Sequence, residues 1–295
     1  MAVPGQGGNQ SEEGRGPLGI ICGGGTLPLA VADVVAGRGR RVVLFPLRGW
    51  ADPGKIARYP HHWIGLAQIV RLQRLARREG CQELVFIGAV QRPSPRQLRP
   101  DLGTLRLLPR IVRLLWGGDN HLLTGIGKLF EEGGFRVLGA HEVAPEILVP
   151  AGVLGRLRPV PRDVADIARG LSLIAAIGPF DVGQAVVVAD NRVVAVEAAE
   201  GTDHMLARVA ELRRGRRVGL REKGGVLIKA PKPAQDRRLD LPSIGTHTVE
   251  GAAAAGLAGI AVEAGGTIAA DLQDIVRAAD AAGLFLVGAR ADGSS

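Results

Sequence analysis

Residues 18–22, Leu-Gly-Ile-Ile-Cys, form a short apolar run that enters Gly-Gly-Gly-Thr-Leu-Pro at 23–28. Helical apolar spacing follows over 29–36, stops at Gly37 and Gly39, and gives way to a second apolar run over 41–47. A strand, a glycine-rich turn, a helix and another strand in this order make a βαβ unit, the building block of a parallel sheet flanked by helices. Glycines there let the backbone approach a ligand, and the following helix N-terminus presents N–H groups to an anion. Gly24, Gly25, Thr26 and Leu27 are therefore candidates for holding a nucleotide phosphate, with a ligand-free tight turn as the alternative. The turn lacks the G-x-G-x-x-G spacing of dinucleotide sites, and the second run ends in Pro46-Leu47-Arg48-Gly49 without an acid to hold an adenosine ribose. That disfavours an NAD-dependent reductase.

The α/β rhythm continues. Residues 66–79 carry apolar positions at helical spacing with basic residues between them, an amphipathic helix that would face either solvent or a membrane surface. A buried strand over 84–87 leads through Gly88, Ala89 and Val90 into a loop containing Arg92, Arg96 and Arg99. Open α/β sheets place ligands beyond strand ends of this kind, so these residues are candidates for a second phosphate-facing wall, with a solvated loop as the alternative. His141-Glu142 after the strand over 135–139 could bind a metal, but the pair alone lacks further ligands at metal spacing.

The glycines and prolines of PAGVLGRLRPVP, around 150–161, interrupt the rhythm and suggest a domain boundary. The expected organisation is a flexible tail over 1–17, a Rossmann-like nucleotide-binding domain over 18–148 and a C-terminal catalytic α/β domain with a mixed sheet over 149–290. In the second domain, two apolar runs flank Asp190-Asn191, a pair that tolerates positive φ in a hairpin turn. EAAEGTD at 197–203 then opens a helix. Thr202 or Asp203 would cap it, or Glu200, Gly201, Thr202 and Asp203 would form an acidic wall opposite the lysines described next.

The sequence KAPKPAQDRRLDLPSIG, 229–245, is where the chemistry is expected. Pro231 and Pro233 stiffen the chain around Lys229 and Lys232, and Gln235, Asp236 and Asp240 follow before a turn over 242–245. Lysines beside carboxylates suit a phosphate or pyrophosphate with a divalent metal: the cations offset the anion, while an acid holds the metal or takes a proton from water. A solvated charged loop between strands is the alternative. Gln184, Gly245 and Thr246 complete the set of candidate substrate-binding residues.

Charge narrows the partners. The net charge of +8 implies an anionic one, but single-stranded nucleic-acid sites stack bases on aromatics, and only one Tyr, six Phe and three Trp occur in 295 residues. Nucleic acid is disfavoured. Cys22 and Cys81 lie within apolar runs and read as reduced core residues of a cytosolic protein. Neither a signal-peptide h-region nor an uninterrupted spanning stretch is present.

In this order, the motifs GIICGGGTLP (19–28), FEEGGFRVLGAHEV (130–143), DVGQAVVV (181–188), VAVEAAEGTD (194–203), GGVLIKAPKPAQDRRLDLPSIG (224–245) and GLAGIAVEAG (256–265) are specific. Over 18–288 the chain resembles the UDP-2,3-diacylglucosamine pyrophosphatases of lipid A synthesis, of the type with a Rossmann-like N-terminal domain and a distinct C-terminal domain. The resemblance implies hydrolysis of UDP-2,3-diacylglucosamine to 2,3-diacylglucosamine 1-phosphate (lipid X) and UMP. It also implies dependence on magnesium (Mg2+), attack of water on the uridine-side phosphorus, and work at the cytoplasmic face of the inner membrane. An essential aspartate is carried onto Asp240, which would hold the metal or orient the water, with Asp236 as second choice. A homodimer is expected, as is an apolar cleft for the two acyl chains. The rival reading is a nucleotide- or phosphosugar-binding regulatory protein without catalysis.

Overall fold

A computed structural model describes residues 15–90, 100–115, 119–215, 223–233 and 235–290. All but the last three residues of the expected tail lie outside the described residues, as do Arg92, Arg96 and Arg99. Two compact units result: Met1–Pro109 with Lys128–Leu138, and Arg110–Gly127 with Gly139–Ser295.

The first unit is built on β1 (Leu18–Cys22), α1 (Leu27–Gly37), β2 (Val42–Pro46), α2 (Pro53–Ile56), α3 (Ile69–Arg78), β3 (Glu83–Ile87) and α4 (Leu102–Leu105). Two helices divided between the units, α5 (Leu108–Leu115) and α6 (Asp119–Glu132), precede its last strand, β4 (Arg136–Leu138). The sheet is parallel throughout, in the order β2-β1-β3-β4. Every residue of β1 and β2 is buried, as continuous apolar runs require when both sheet faces are covered. The basic amphipathic helix forms with Ile69, Leu72 and Ala76 on its buried face, but it begins three residues later than its apolar pattern. Ala67 takes a left-handed φ of 71° and Gln68 Oε1 accepts the Gly65 N–H at 2.9 Å, so residues 65–68 close a turn instead of the first helical one.

The second unit contains α7 (Ala140–Val143), β5 (Gly152–Val153), α8 (Pro161–Ile177), β6 (Ala185–Ala189), β7 (Arg192–Val196), α9 (Gly201–Arg214) and β8 (Val226–Lys229). It continues with β9 (Ser243–Ile244), α10 (Thr246–Ala254), β10 (Gly259–Glu263), β11 (Ile268–Ala269), α11 (Leu272–Ala282) and β12 (Phe285–Ala289). Its main sheet is mixed, with order β5-β12-β10-β8-β6-β7: β8, β10 and β12 run parallel, and the outer neighbours are antiparallel. Alternate strand residues feed two cores. Leu227, Ile260 and Leu286 pack with Leu206, Val249 and Ile275 of α9, α10 and α11, whereas Ile228, Ala261 and Val287 pack with Ile167, Leu171 and Ile174 of α8. The hairpin between β6 and β7 turns at Asp190 and Asn191, with φ of 50° and 60°, the left-handed pair expected of those residues.

The edge pairing of β12 with β5 depends on one missing side chain. A Cβ on Gly288 would lie 1.9 Å from the Pro150 carbonyl oxygen, a backbone atom that cannot rotate away. Gly288→Ala is therefore expected to destabilise the second unit by about 3 kcal/mol, measured by urea unfolding.

Candidate active site

In the second unit the candidate residues gather at the C-terminal end of β8, where the parallel strands present a ligand-accepting edge. The sequence 229–245 leaves this edge and is tied back by a small parallel sheet of β9 with β11, pairing Ser243 with Ile268. That tether fixes the Ser243 carbonyl, which accepts a hydrogen bond from Lys229 Nζ at 2.9 Å. Lys229 Nζ also donates to Thr202 Oγ1 at 3.1 Å. The ammonium is buried, and burial holds its pKa below the usual lysine range; the carboxylates of Glu197, Asp203 and Asp240 act in the opposite direction.

Lys232 is also buried, but its Nζ is engaged by Asp181, a residue that the left-handed turn after α8 brings beside it. Lys232 N donates to Gln235 Oε1 at 3.0 Å, and Gln235 N returns a bond to Lys232 O at 3.0 Å, closing the proline-flanked turn. Burial of Lys229, Lys232 and Gln235 removes the solvated-loop alternative for this part of the segment.

The two acids of the loop have different surroundings. Asp236 is clasped by its neighbour Arg238, through Nε at 3.0 Å and a terminal guanidinium nitrogen at 2.8 Å, and that guanidinium holds its carboxyl below the usual range. The Asp236 carbonyl accepts Asp240 N at 3.1 Å, a turn that returns Asp240 over Gln235. Asp240 Oδ2 then accepts N–H groups from two carboxamides, Gln184 Nε2 at 2.8 Å and Gln235 Nε2. Sequence spacing did not separate the two aspartates; the position of Arg238 does.

Thr202 is not the cap of α9. The helix starts at Gly201, whose φ of 79° suits glycine, and Thr202 in the first turn donates to Glu197 Oε1 at 2.7 Å. Glu197 Oε2 accepts Gln184 N at 2.9 Å, so this glutamate reaches both Thr202 and Gln184. Glu200 instead turns outward to Arg208 at 2.8 Å, and exposed Asp203 lies 3.6 Å from His247. The acid that reaches the Lys229 network is Glu197, together with the Lys232 partner Asp181; neither stands out in the sequence. Gly245 is the N-cap of α10 and Thr246 its first residue, leaving a helix N-terminus with no capping side chain from Gly245 itself.

In the first unit, the loops after β1 and β3 meet. Gly24 and Ala89 exchange backbone hydrogen bonds at 2.8 and 3.0 Å, at the point where strand order reverses between β1 and β3. Gly25 (φ 89°) and Thr26 are exposed at the entrance to α1, Leu27 begins that helix, and Val90 is exposed beyond Gly88. A Cβ on Gly23 would lie 2.6 Å from the Gly88 carbonyl carbon and oxygen. Gly23→Ala is expected to separate these loops and cost about 2 kcal/mol, visible as a lowered unfolding midpoint.

His141 and Glu142 do not make a metal pair: Glu142 Oε2 accepts the Gly139 N–H at 2.6 Å and caps α7. Among the described residues no three His, Cys, Asp or Glu side chains form a metal-binding group. A cation at Asp240 would thus draw its remaining ligands from water or substrate.

The comparison with known families decides the relationship. A family model described as the LpxI N-terminal domain matches residues 17–147, and one described as the LpxI C-terminal domain matches residues 150–287. The chain belongs to the LpxI family. It is 43% identical over 271 residues to a protein of Caulobacter vibrioides named UDP-2,3-diacylglucosamine pyrophosphatase LpxI, covering 92% of this chain and 96% of that one. Both LpxI domain matches fall on α/β units, the first with a parallel four-stranded sheet and the second with a mixed six-stranded one.

Proposed function

We propose that the protein hydrolyses the pyrophosphate bond of UDP-2,3-diacylglucosamine to 2,3-diacylglucosamine 1-phosphate and UMP, a step of lipid A synthesis. The observation that carries this reading is the Asp240 carboxylate held by two carboxamides in the same network region as buried Lys229, in a chain related over 92% of its length to a protein named for that activity. Cleavage of a pyrophosphate moves negative charge onto the bridging oxygen, so fixed positive groups stabilise the transition state more than the ground state. Lys229 in its ammonium form supplies positive charge, and the first turn of α10, from Thr246, supplies backbone N–H groups. Asp240, fixed in orientation through Oδ2, orients a water molecule and accepts its proton. Lys232, paired with Asp181, sets the course of the loop that carries Asp240. Within the first unit, the Gly24–Leu27 turn and the N-terminus of α1 are suited by themselves to an anionic phosphate group.

The donor set fits a magnesium ion, which takes one or two protein carboxylates and fills its other positions with water and phosphate oxygens. Asp240, the position onto which the resemblance carries the essential aspartate, would hold it. Bound there, the ion would supply Lewis-acid stabilisation of charge on phosphoryl oxygens. Two acyl chains keep such a substrate at a bilayer, so the encounter takes place at the cytoplasmic face of the inner membrane; no described helix is long and apolar enough to cross a membrane.

Incubation with UDP-2,3-diacylglucosamine in oxygen-18 water, with magnesium or with EDTA, tests the reading by mass spectrometry of the products. Labelled UMP marks attack at the uridine-side phosphorus, and labelled sugar 1-phosphate marks attack at the other. Intact substrate under every metal condition contradicts hydrolysis.

A further inference from the structure

We propose that Glu197 is a positioning residue of the hydrolytic centre, the anchor that holds Lys229 and the Gln184–Asp240 pair in one arrangement. This inference rests on the hydrolytic reading given above.

The geometry requires a carboxylate at this position. Both partners of Glu197 are donors: the Gln184 N–H reaches Oε2 at 2.9 Å and the Thr202 hydroxyl reaches Oε1 at 2.7 Å. A carboxylate offers one oxygen acceptor to each, which a carboxamide with a single oxygen does not. Because the Thr202 hydroxyl proton points to Glu197, its oxygen is turned to accept from Lys229 Nζ, 3.1 Å away. On the other side, Glu197 fixes the backbone of Gln184, whose Nε2 holds Asp240 Oδ2 at 2.8 Å. One side chain thereby connects the cation and the carboxylate assigned to the chemistry. Its own backbone is immobilised, with Glu197 N donating to Ala185 O at 2.9 Å and Gly183 packed so closely that a Cβ there would lie 2.3 Å from Glu197 O.

Charge points the same way. Glu197 is the leading carboxylate opposing the effect of burial on Lys229, ahead of Asp203 on α9 and Asp240 in the loop. Of the remaining charged groups near these elements, His247 at the start of α10 lies against Asp203, and Glu263 at the end of β10 is paired with Arg237. Loss of the Glu197 charge lowers the pKa of Lys229, so an activity that needs the ammonium is lost at lower pH. With Gln at 197, moreover, an amide N–H turned to Thr202 competes with Lys229 for the same oxygen.

The test compares the wild type, Glu197→Gln and Thr202→Val in the hydrolysis of UDP-2,3-diacylglucosamine, with thermal unfolding recorded for each. Turnover by the wild type establishes the reaction; its absence defeats the hydrolytic reading before the variants are considered. In Glu197→Gln, kcat is expected to fall about a hundredfold with KM changed little, the scale of a misplaced reacting group. The alkaline limb of kcat/KM is expected to move to lower pH in Glu197→Gln and in the same direction in Thr202→Val, since each removes a group that favours the ammonium. Thr202→Val keeps Glu197 in place and carries the test if Glu197→Gln does not fold. With an active wild type, an alkaline limb that stays in place in the folded variants overturns the proposal, as does wild-type kcat in Glu197→Gln.

Discussion

Asp240→Ala is expected to remove turnover, with kcat lower by about a thousandfold or more, the scale of losing a group that acts on charge developing in the transition state. The substitution deletes one carboxylate from a half-buried loop and touches neither apolar core of the second unit. It leaves Nε2 of Gln184 and Nε2 of Gln235 without this acceptor, a cost of about 1–3 kcal/mol that water entering the loop reduces. The fold should survive, and thermal unfolding checks it. Asp240→Asn separates shape from charge, because its carbonyl oxygen can still accept from the carboxamides while the negative charge is gone. Comparable losses in the two variants assign the effect to charge. Near-wild-type turnover in Asp240→Asn assigns it to hydrogen bonding alone and removes the proton-accepting role.

Lys229→Met has the second-largest expected effect, and it acts on both activity and stability. Methionine approximates the length of the stem but brings no donor to Thr202 Oγ1 or the Ser243 carbonyl, and no cation to Glu197. Leaving the half-buried Ser243 carbonyl and the Thr202 hydroxyl without this donor costs about 1–3 kcal/mol, seen as a lowered midpoint in chemical unfolding. Loss of the positive charge proposed to act on the phosphate is expected to lower kcat by about a hundredfold or more. Double substitution with Glu197→Gln removes the uncompensated charge and is expected to recover part of the stability but none of the activity. That separation of the two readouts distinguishes electrostatic compensation from simple packing.

Much of the architecture can be read from local signals. Apolar runs of four or five residues punctuated by glycine give the strands, and Asp190-Asn191 gives the hairpin because those residues tolerate the left-handed conformation they adopt. The beginning of α3 escapes periodicity, since a left-handed Ala67 is not marked by glycine. Within the candidate site, the stiff lysine-bearing segment announces itself by composition, but the partners of its side chains do not. Glu197 lies 32 positions from Lys229 in sequence, and the sheet pairing of β7 with β6 and of β6 with β8 brings the two strand ends together. Its neighbour Thr202 carries the same signal as a helix cap, and a Ser or Thr at a helix start is more economically read that way. Asp181 follows an exposed Phe180 in a turn whose left-handed residue is an aspartate, a position that sequence leaves unmarked. Asp236 and Asp240 are alike in composition, and the fold alone gives the first to Arg238 and the second to the carboxamides.

The most direct measurement of the central claim is a single-turnover experiment with protein in excess of UDP-2,3-diacylglucosamine and magnesium present, comparing the wild type with Asp240→Asn and reading bound and released species by mass spectrometry. Rapid release of UMP by the wild type, with the variant retaining intact substrate, is the expected result. Cleavage by the variant at the wild-type rate would contradict a hydrolytic centre built on Asp240.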